Sequence, residues 1–187
     1  MATPGVIGPF PPRIGEDPEA QDQYDRLRRR VLWSLPYGLY VVGSCIPGEP
    51  PERNLMTLNW ATQVAFEPKL VGIGVEHGAL THRLVSDGRV FSLMTVARDD
   101  RAIIRKFTKP VDVDPDAMTI EGFPFHDGLT GAPILDQAPA YLDCEVRQTV
   151  EVGGHTLFIG EVVDCAFQAA EDTEVLRMED TRMNYGG

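Results

Sequence analysis

The stretch NLMTLNWATQVAFEP, residues 54–68, constrains the fold more than any other part of the chain. Its residues alternate between two sets, as they do along a β-strand whose side chains point to opposite faces. One set is apolar and predicts a core face: Met56, Leu58, Trp60, Val64 and Phe66. The other set is small or neutral, and its polar groups are hydroxyls and amides: Thr57, Asn59, Ala61, Gln63 and Ala65.

The neutral set is unusual because a strand face in contact with water normally carries Lys, Glu or Arg. Buried hydroxyl and amide groups cost free energy unless they find hydrogen-bond partners. Two interpretations follow from the pattern alone. The face forms a tight protein interface, or it binds a neutral polar ligand that is rich in donors and acceptors.

Composition predicts one globular domain and excludes several classes of partner. The chain has 187 residues, of which 43% are hydrophobic and 24% charged, so it can bury a substantial core. Its formal net charge of -11 repels nucleic acid and anionic lipid. No apolar run approaches the ~18 residues that a membrane-spanning helix needs. We therefore expect neither nucleic acid nor a membrane as a partner.

Cysteine and histidine usage points to a cytoplasmic protein without a metal site. The start of the chain lacks the basic and apolar regions of a secretory signal. Cys45, Cys144 and Cys165 form no C-x-x-C pair, so we expect reduced, buried thiols. The spacing of the histidines is not that of metal ligands; they are His77, His82, His126 and His155.

The chain order predicts an N-terminal arm, one domain and a C-terminal arm. Residues 1–16 are rich in Pro and Gly, and residues 169–187 are polar. Between them, residues 17–168 form the expected domain. Asp17 and Pro18 are suited to begin a helix, and shorter helices are expected after Gly78 and from Asp99 or Asp100. Residues 109–139 form a long excursion, and segments of this kind often serve as lids or subunit contacts.

Most of the domain has the pattern of β-strands. Strands are predicted over residues 39–46, 54–66, 70–77 and 89–96, followed by a hairpin of 141–152 and 155–167 that turns at Gly153 and Gly154. Because hairpin-linked strands dominate, the pattern favours a small antiparallel barrel over a doubly wound parallel sheet. The run GIGVEHG is not a dinucleotide-binding motif, since its glycines lie within a strand and His77 occupies the third glycine position.

Several of these motifs, in their order, resemble the flavin reductase-like family of FMN-binding split barrels. They are N-x-M-T-x-x-W-x-x-Q-V-x-F-x-P at 54–68, T-H-x-L at 81–84, F-S-L-M-T-V at 91–96 and H-T-L-F-I-G-E-V at 155–162. The similarity spans roughly residues 30–168. It implies a mainly β fold, a six-stranded antiparallel Greek-key split barrel with short helices and an N-terminal helix. It also implies a homodimer with flavin bound near the subunit interface.

The resemblance assigns roles by position. Residues along the flavin and its ring would be Asn54, Met56, Thr57, Trp60, Gln63 and Val64. Residues at the helix start, holding the ribityl chain and phosphate, would be Gly78, Ala79, Thr81 and His82. His155 would be the catalytic residue beside the flavin. Two positions depart from the family pattern: Glu76 and His77 replace a frequent basic residue, and Gly154 replaces an acid that many reductases carry.

The function implied is that of an NAD(P)H-dependent flavin reductase. Hydride would pass from NAD(P)H to N5 of FMN, or of FAD, and reduced flavin would serve a partner such as an oxygenase. The protein would hold the two rings at reacting distance. Three alternatives remain open: a flavoprotein with a deazaflavin-linked or electron-transfer role, a non-enzymatic flavin carrier, and a barrel whose neutral face only forms a dimer contact.

Overall fold

A computed structural model describes residues 9–109 and 111–181. Its α-helices are α1 (Pro18–Leu32), α2 (Leu80–Gly88) and α3 (Ala102–Lys106), and a 3-10 helix covers Met178–Asp180. The strands are β1 (Tyr40–Ile46), β2 (Glu52–Leu58), β3 (Ala61–Ala65), β4 (Leu70–Glu76), β5 (Val90–Thr95), β6 (Val113–Asp114), β7 (Thr119–Ile120), β8 (Phe123–Asp127), β9 (Pro133–Leu135), β10 (Ala140–Val152) and β11 (His155–Phe167).

The strands form two antiparallel sheets. The main sheet has seven strands in the order β2-β1-β5-β10-β11-β4-β3, and the second has four in the order β6-β7-β8-β9. The mainly β, antiparallel architecture is therefore confirmed, but the main sheet has seven strands where six were expected. Side chains from near both edges, including Leu58 of β2 and Val71 and Ile73 of β4, share one core cluster. The sheet curls so that its two edge regions close over the same apolar interior.

The stretch over residues 54–68 is two strands rather than one, and this explains the extra strand. β2 ends at Leu58, and β3 begins at Ala61 on the opposite edge of the sheet. The predicted core face was correct for Leu58, which is buried, but wrong for Val64 and Phe66, which are 44% and 81% exposed. A register shift between Gln63 and Ala65 breaks the alternation on this edge strand.

The N-terminal helix begins as predicted. The Asp17 carboxylate accepts a hydrogen bond from the Glu19 amide at 3.2 Å, and Pro18 opens the helix. This helix belongs to a unit that extends to Pro36, whereas Tyr37–Thr181 form a second compact unit. The predicted domain limits at residues 17 and 168 stay predictions. Within the second unit Leu176 is buried, and its amide donates to the Val96 carbonyl at 2.8 Å.

The long excursion is largely structured, since β6 to β9 all lie in it. Strand β9 packs on the main sheet, where the Ser92 hydroxyl donates to the Pro133 carbonyl at 2.6 Å. Gly43 permits this approach, because a Cβ there would lie 2.2 Å from the Pro133 oxygen. The role of residues 109–139 as a lid or subunit contact stays a prediction. Within this segment Ile134 and Leu135 are core residues.

The cysteines are free thiols, but they are not all buried. Cys45 and Cys144 are buried, and burial raises the pKa of Cys144 to about 12. Cys165 is exposed, which corrects the expectation, because β11 loses its cover towards its C-terminal end. Within residues 9–109 and 111–181, no helix is long and apolar enough to cross a membrane.

A buried carboxylate ties the excursion to the hairpin. Asp143 of β10 is fully buried. Its two oxygens accept hydrogen bonds from the Thr130 hydroxyl at 2.5 Å and the Thr130 amide at 2.8 Å. Burial raises the pKa of Asp143, and the contacts with Thr130 oppose that rise. Ionisation of Asp143 therefore lowers the free energy of unfolding as pH rises, and the hydrogen bonds from Thr130 reduce this loss.

We expect Thr130→Val to lower the free energy of unfolding by about 1–3 kcal/mol at pH 7, since the ionised Asp143 loses a charge-assisted hydrogen bond. The difference from wild type should shrink in acid, where Asp143 is protonated in both proteins. Urea unfolding at several pH values measures this. Thr62→Val, at an exposed position of β3, is the matched control and should change stability by less than ~0.5 kcal/mol. An equal loss at every pH would contradict the role given to Asp143.

Candidate functional site

The start of α2 forms a polar corner at one end of β4. The chain leaves β4 at Glu76, turns through Gly78 and Ala79, and enters the helix at Leu80. Ala79 occupies the capping position and makes no side-chain cap hydrogen bond. The first N–H groups of a helix have no partner within the helix, and they carry its positive dipole end. This corner therefore presents donors that suit a polar or anionic ligand.

Asn54 of strand β2 contacts the first turn of α2. The buried Asn54 amide donates from Nδ2 to Thr81 Oγ1 at 2.8 Å, which fixes β2 to the first turn of α2. Asn54 Oδ1 has no partner among the described residues, and neither does the Asn59 Nδ2 donor at the far end of β2. A buried polar atom without a partner costs about 1–3 kcal/mol. An acceptor and a donor thus remain available along one strand, and this fits an extended ligand with several polar atoms.

Trp60 and His155 are brought together on the other side of the corner. Their ring centroids lie 4.8 Å apart. Trp60 lies against β4 at Gly74, whose amide donates to the Trp60 carbonyl at 2.9 Å. A Cβ on Gly74 would lie 3.4 Å from Trp60 Cε3, an ordinary van der Waals contact, so the Trp60 ring lies over this part of β4. His155 begins β11 opposite Glu76.

A chain of four polar side chains connects α2 to the hairpin. His82 Nε2 lies 2.8 Å from Thr156 Oγ1, and the Thr156 hydroxyl donates to Glu151 Oε1 at 2.9 Å. The second oxygen, Glu151 Oε2, lies 2.9 Å from His77 Nε2. The rings of His77 and His82 are 5.1 Å apart, edge to face. These contacts make one connected group, which we call the His82 relay: His77, His82, Glu151 and Thr156.

The relay keeps His82 neutral near pH 7. Burial lowers the pKa of His82 below its ordinary value of 6.5, and the neighbouring His77 lowers it further, against the opposing effect of Glu151. His82 also contacts Phe158, with ring centroids 5.3 Å apart. An imidazole between an aromatic ring and a second imidazole is disfavoured as a cation. The site therefore has a neutral imidazole next to the first turn of α2.

The remaining predicted site residues lie apart from this corner. The Thr57 hydroxyl donates to the Ile104 carbonyl at 2.6 Å, and Met56 packs against the core. Val64 is exposed, while Gln63 donates to the Ala65 carbonyl at 3.1 Å and lines a cavity of about 330 Å³. Gln63 pairs with residue 71, which is five positions, or about 16 Å, from residue 76 along β4. A ligand that reaches both Gln63 and α2 must lie extended along the sheet.

A separate concavity of about 860 Å³ includes none of these residues, since every residue that lines it belongs to the N-terminal unit, among them Tyr24 and Trp33. It contains two ion-paired arginines, Arg26 and Arg29, and none of the predicted site residues. Elsewhere in the described chain, no group of three or more His, Cys, Asp or Glu side chains could hold a metal ion. The corner at α2 is therefore the candidate site.

Comparison with known proteins assigns the family. Residues 32–187 match the family model described as the flavin reductase like domain. The chain belongs to this family. The NADH-dependent FAD reductase of Streptomyces globisporus is 31% identical over 156 residues, which are 81% of this chain and 82% of that protein.

Two solved structures of the flavin reductase family are similar to this fold. One is the NADH:FAD oxidoreductase SgcE6 from Streptomyces globisporus C-1027 in complex with NAD and FAD fragments. It is 28% identical, with a TM-score of 0.67 over 87% of this chain and 92% of that one. The other is the styrene monooxygenase flavin reductase from Pseudomonas putida S12. It is 26% identical, with a TM-score of 0.64 over 80% and 90% of the two chains.

The sequence patterns missed half of the relay in this flavin reductase fold. Glu151 and Thr156 were not singled out, although a hairpin turning at residues 153 and 154 places them opposite each other, as the register has them. This pairing was available from the sequence. The approach of His82 to Thr156 was not, because it depends on how α2 packs against β11.

We expect the pKa of His82 to lie below 6.5, and His77→Gln to raise it, because the substitution removes the imidazole whose proximity lowers that pKa and leaves Glu151 in place. Titration of the ring protons by NMR measures both. Since folding favours the neutral ring, protonation of His82 should weaken the fold only as pH falls through and below 6.5. His126→Gln, a histidine paired instead with Asp136, should leave the His82 titration unchanged. A His82 midpoint at or above 6.5 would contradict the effect of burial.

Proposed function

We propose that this member of the flavin reductase family is an NAD(P)H-dependent flavin reductase that binds FMN, with FAD as the alternative flavin. The observation that carries the proposal is the polar line from the uncapped start of α2 along β2. It includes Asn54 Oδ1 and Asn59 Nδ2, two buried polar atoms that have no hydrogen-bond partner among the described residues. A flavin has ring carbonyls, ring nitrogens and side-chain hydroxyls, which are the atoms that such donors and acceptors satisfy. The family match and the named reductases above support the same activity.

The proposed roles follow the positions of the side chains. Thr57 and Trp60 would border the ring, with Met56 supporting them from the core side and Asn54 fixing the start of α2. Gln63 and Val64, on the edge strand, would reach the far end of an extended flavin. At the corner itself, Gly78 leaves open space, since nothing lies within 4 Å of a Cβ built there. Ala79, Thr81 and His82 would then face the ribityl chain and the phosphate.

His155 would act beside the reacting ring. The bound flavin supplies a hydride acceptor at N5, and NAD(P)H supplies the hydride from C4. The task of the protein is to hold the two rings in contact and keep water out. His155 is half-buried against Trp60, so it would orient the nicotinamide rather than exchange a proton. Its partner residue in many reductases, an acid, is replaced here by Gly154.

We also propose a homodimer in the cytoplasm with the curled sheet as a split barrel. Phe66, in the turn directly after the edge strand β3, is 81% exposed, and a large apolar side chain in such a place favours burial against another surface. The free thiols of Cys45, Cys144 and Cys165 are consistent with a reducing compartment. Reduced flavin would pass to an acceptor such as an oxygenase, because one similar structure is that of a styrene monooxygenase flavin reductase. Light scattering measures the oligomeric state.

A second candidate is a flavoprotein on the same fold that takes electrons from another reductant. The observation that favours it is Gly154, which leaves His155 without the adjacent acid. A deazaflavin or a protein electron donor would need no nicotinamide pocket.

Anaerobic mixing of the protein and FMN with NADH or NADPH distinguishes the two candidates. We expect the absorbance of oxidised flavin to bleach with at least one nucleotide. We further expect His155→Ala to lower kcat/KM for the nucleotide about tenfold, the cost of a lost ring contact and hydrogen bond. His126→Ala is the matched control and should match wild type. Binding of FMN without bleaching by either nucleotide would favour the second candidate, and no binding of FMN or FAD would reject both.

A further inference from the structure

The His82 relay fixes which ring nitrogen of His82 carries the proton. A carboxylate only accepts hydrogen bonds, so the Thr156 hydroxyl uses its single proton on Glu151 Oε1. The Thr156 oxygen can then only accept from His82, and the 2.8 Å contact requires a proton on Nε2. In the neutral ring the other nitrogen, Nδ1, is consequently an acceptor. Glu151 and Thr156 thus determine the tautomer of His82.

An acceptor at this place has a definite chemical preference. A phosphate presents only acceptor oxygens at neutral pH apart from its last proton, so an unprotonated Nδ1 repels it. A hydroxyl group donates readily to such a nitrogen, and the ribityl chain of a flavin carries several hydroxyls. His82 is the third residue of α2, in the turn that the proposed flavin side chain would meet. The acceptor Nδ1 of His82 therefore matches the ribityl hydroxyls, the uncharged part of the flavin's side chain.

The charges around α2 point the same way. Arg83 forms a two-point contact with the Glu52 carboxylate, one of its hydrogen bonds being 3.0 Å long. His77 is paired with Glu151 at 2.9 Å, and Glu76 places a further carboxylate at the end of β4. Among the described residues of α2 and the turn before it, the basic side chains other than His82 are therefore neutralised by carboxylates. No strong cation is left there to attract a phosphate.

We propose that His82, oriented by Thr156 and Glu151, recognises the flavin by accepting a hydrogen bond from a hydroxyl of the ribityl chain rather than by binding the phosphate. Glu151 and Thr156 are positioning residues in this arrangement. This inference rests on the proposed flavin binding. It goes further by naming the part of the flavin that determines affinity at this corner.

Titration of the wild-type protein with three flavins at pH 8 tests the preference. Lumiflavin has the ring alone, riboflavin adds the hydroxyl chain, and FMN adds the phosphate. We expect riboflavin to bind about five- to tenfold more tightly than lumiflavin, the effect of one net hydrogen bond. FMN, whose phosphate can meet the N–H groups at the start of α2, is the control for flavin binding. Riboflavin binding no more tightly than lumiflavin would overturn the proposal, since the hydroxyl chain would then contribute nothing.

Variants of the relay test the positioning. In Glu151→Ala the Thr156 hydroxyl is free to donate to His82 Nε2, so the Nδ1–H tautomer should appear in the ring ¹⁵N spectrum. Riboflavin affinity should fall about fivefold, with lumiflavin unchanged. Glu151→Gln retains an acceptor oxygen for Thr156 and should restore both properties. Glu145→Ala, on the same strand but paired with Arg147, is the matched control and should behave as wild type.

The outcomes separate this inference from the proposed function. If none of the three flavins binds to the wild-type protein, flavin binding itself fails. If they bind but wild-type His82 is protonated on Nδ1, the relay assignment is wrong. If the tautomer shifts in Glu151→Ala while riboflavin and lumiflavin affinities stay in their wild-type ratio, His82 orients nothing that the flavin side chain contacts, and the proposal is overturned.

Discussion

The register of the β10–β11 hairpin is the constraint on which the rest of the second unit depends. The turn at Gly153 and Gly154 pairs residue 152 with residue 155, and the two arms continue together for their full lengths. β10 also pairs with β5, and β11 with β4, so this hairpin holds both halves of the main sheet. Slipping it by one residue would move every side chain on both arms to the opposite face.

Two irregularities in that pairing let the sheet curl. Register shifts occur between Asp143 and Cys144 and between Val146 and Gln148, and such bulges increase local twist. Asp143 lies at the first of them, and its buried carboxylate accepts hydrogen bonds from Thr130. The site depends on the same pairing, because it puts Thr156 opposite Glu151 and His155 beside the end of β4.

Local chemistry in the sequence predicted the elements of this fold better than their assembly. The cap at Asp17, the short helix after Gly78 and the hairpin turn all follow from residue types at fixed spacing, and the structure has them. The period-two pattern over residues 54–68 predicted strand structure on both sides of Asn59, which the structure has. It could not reveal the break at Asn59 and Trp60, because the two strands that result pair on opposite edges of the sheet.

The site was predicted to a similar depth. The family resemblance gave Asn54, Thr81, Trp60 and His155 as flavin-site residues, which stays a prediction; the structure places Asn54 against Thr81 and Trp60 against His155. What the sequence could not supply is the protonation state of His82. That property depends on burial by Phe158, on the proximity of His77 and on a hydroxyl from another element, all of which arise from packing. A motif can name His82, but its protonation state is set by residues from other parts of the chain.

The contact between Trp60 and His155 gives the molecule a built-in optical reporter. The chain has two tryptophans, and the other, Trp33, lies just after α1 in the N-terminal unit. Indole emission responds to the polarity of its surroundings and to nearby chromophores. Light emitted by Trp60 consequently carries information on whether the corner is filled, and Trp33 is the one emitter that has to be removed for this signal to be read by itself.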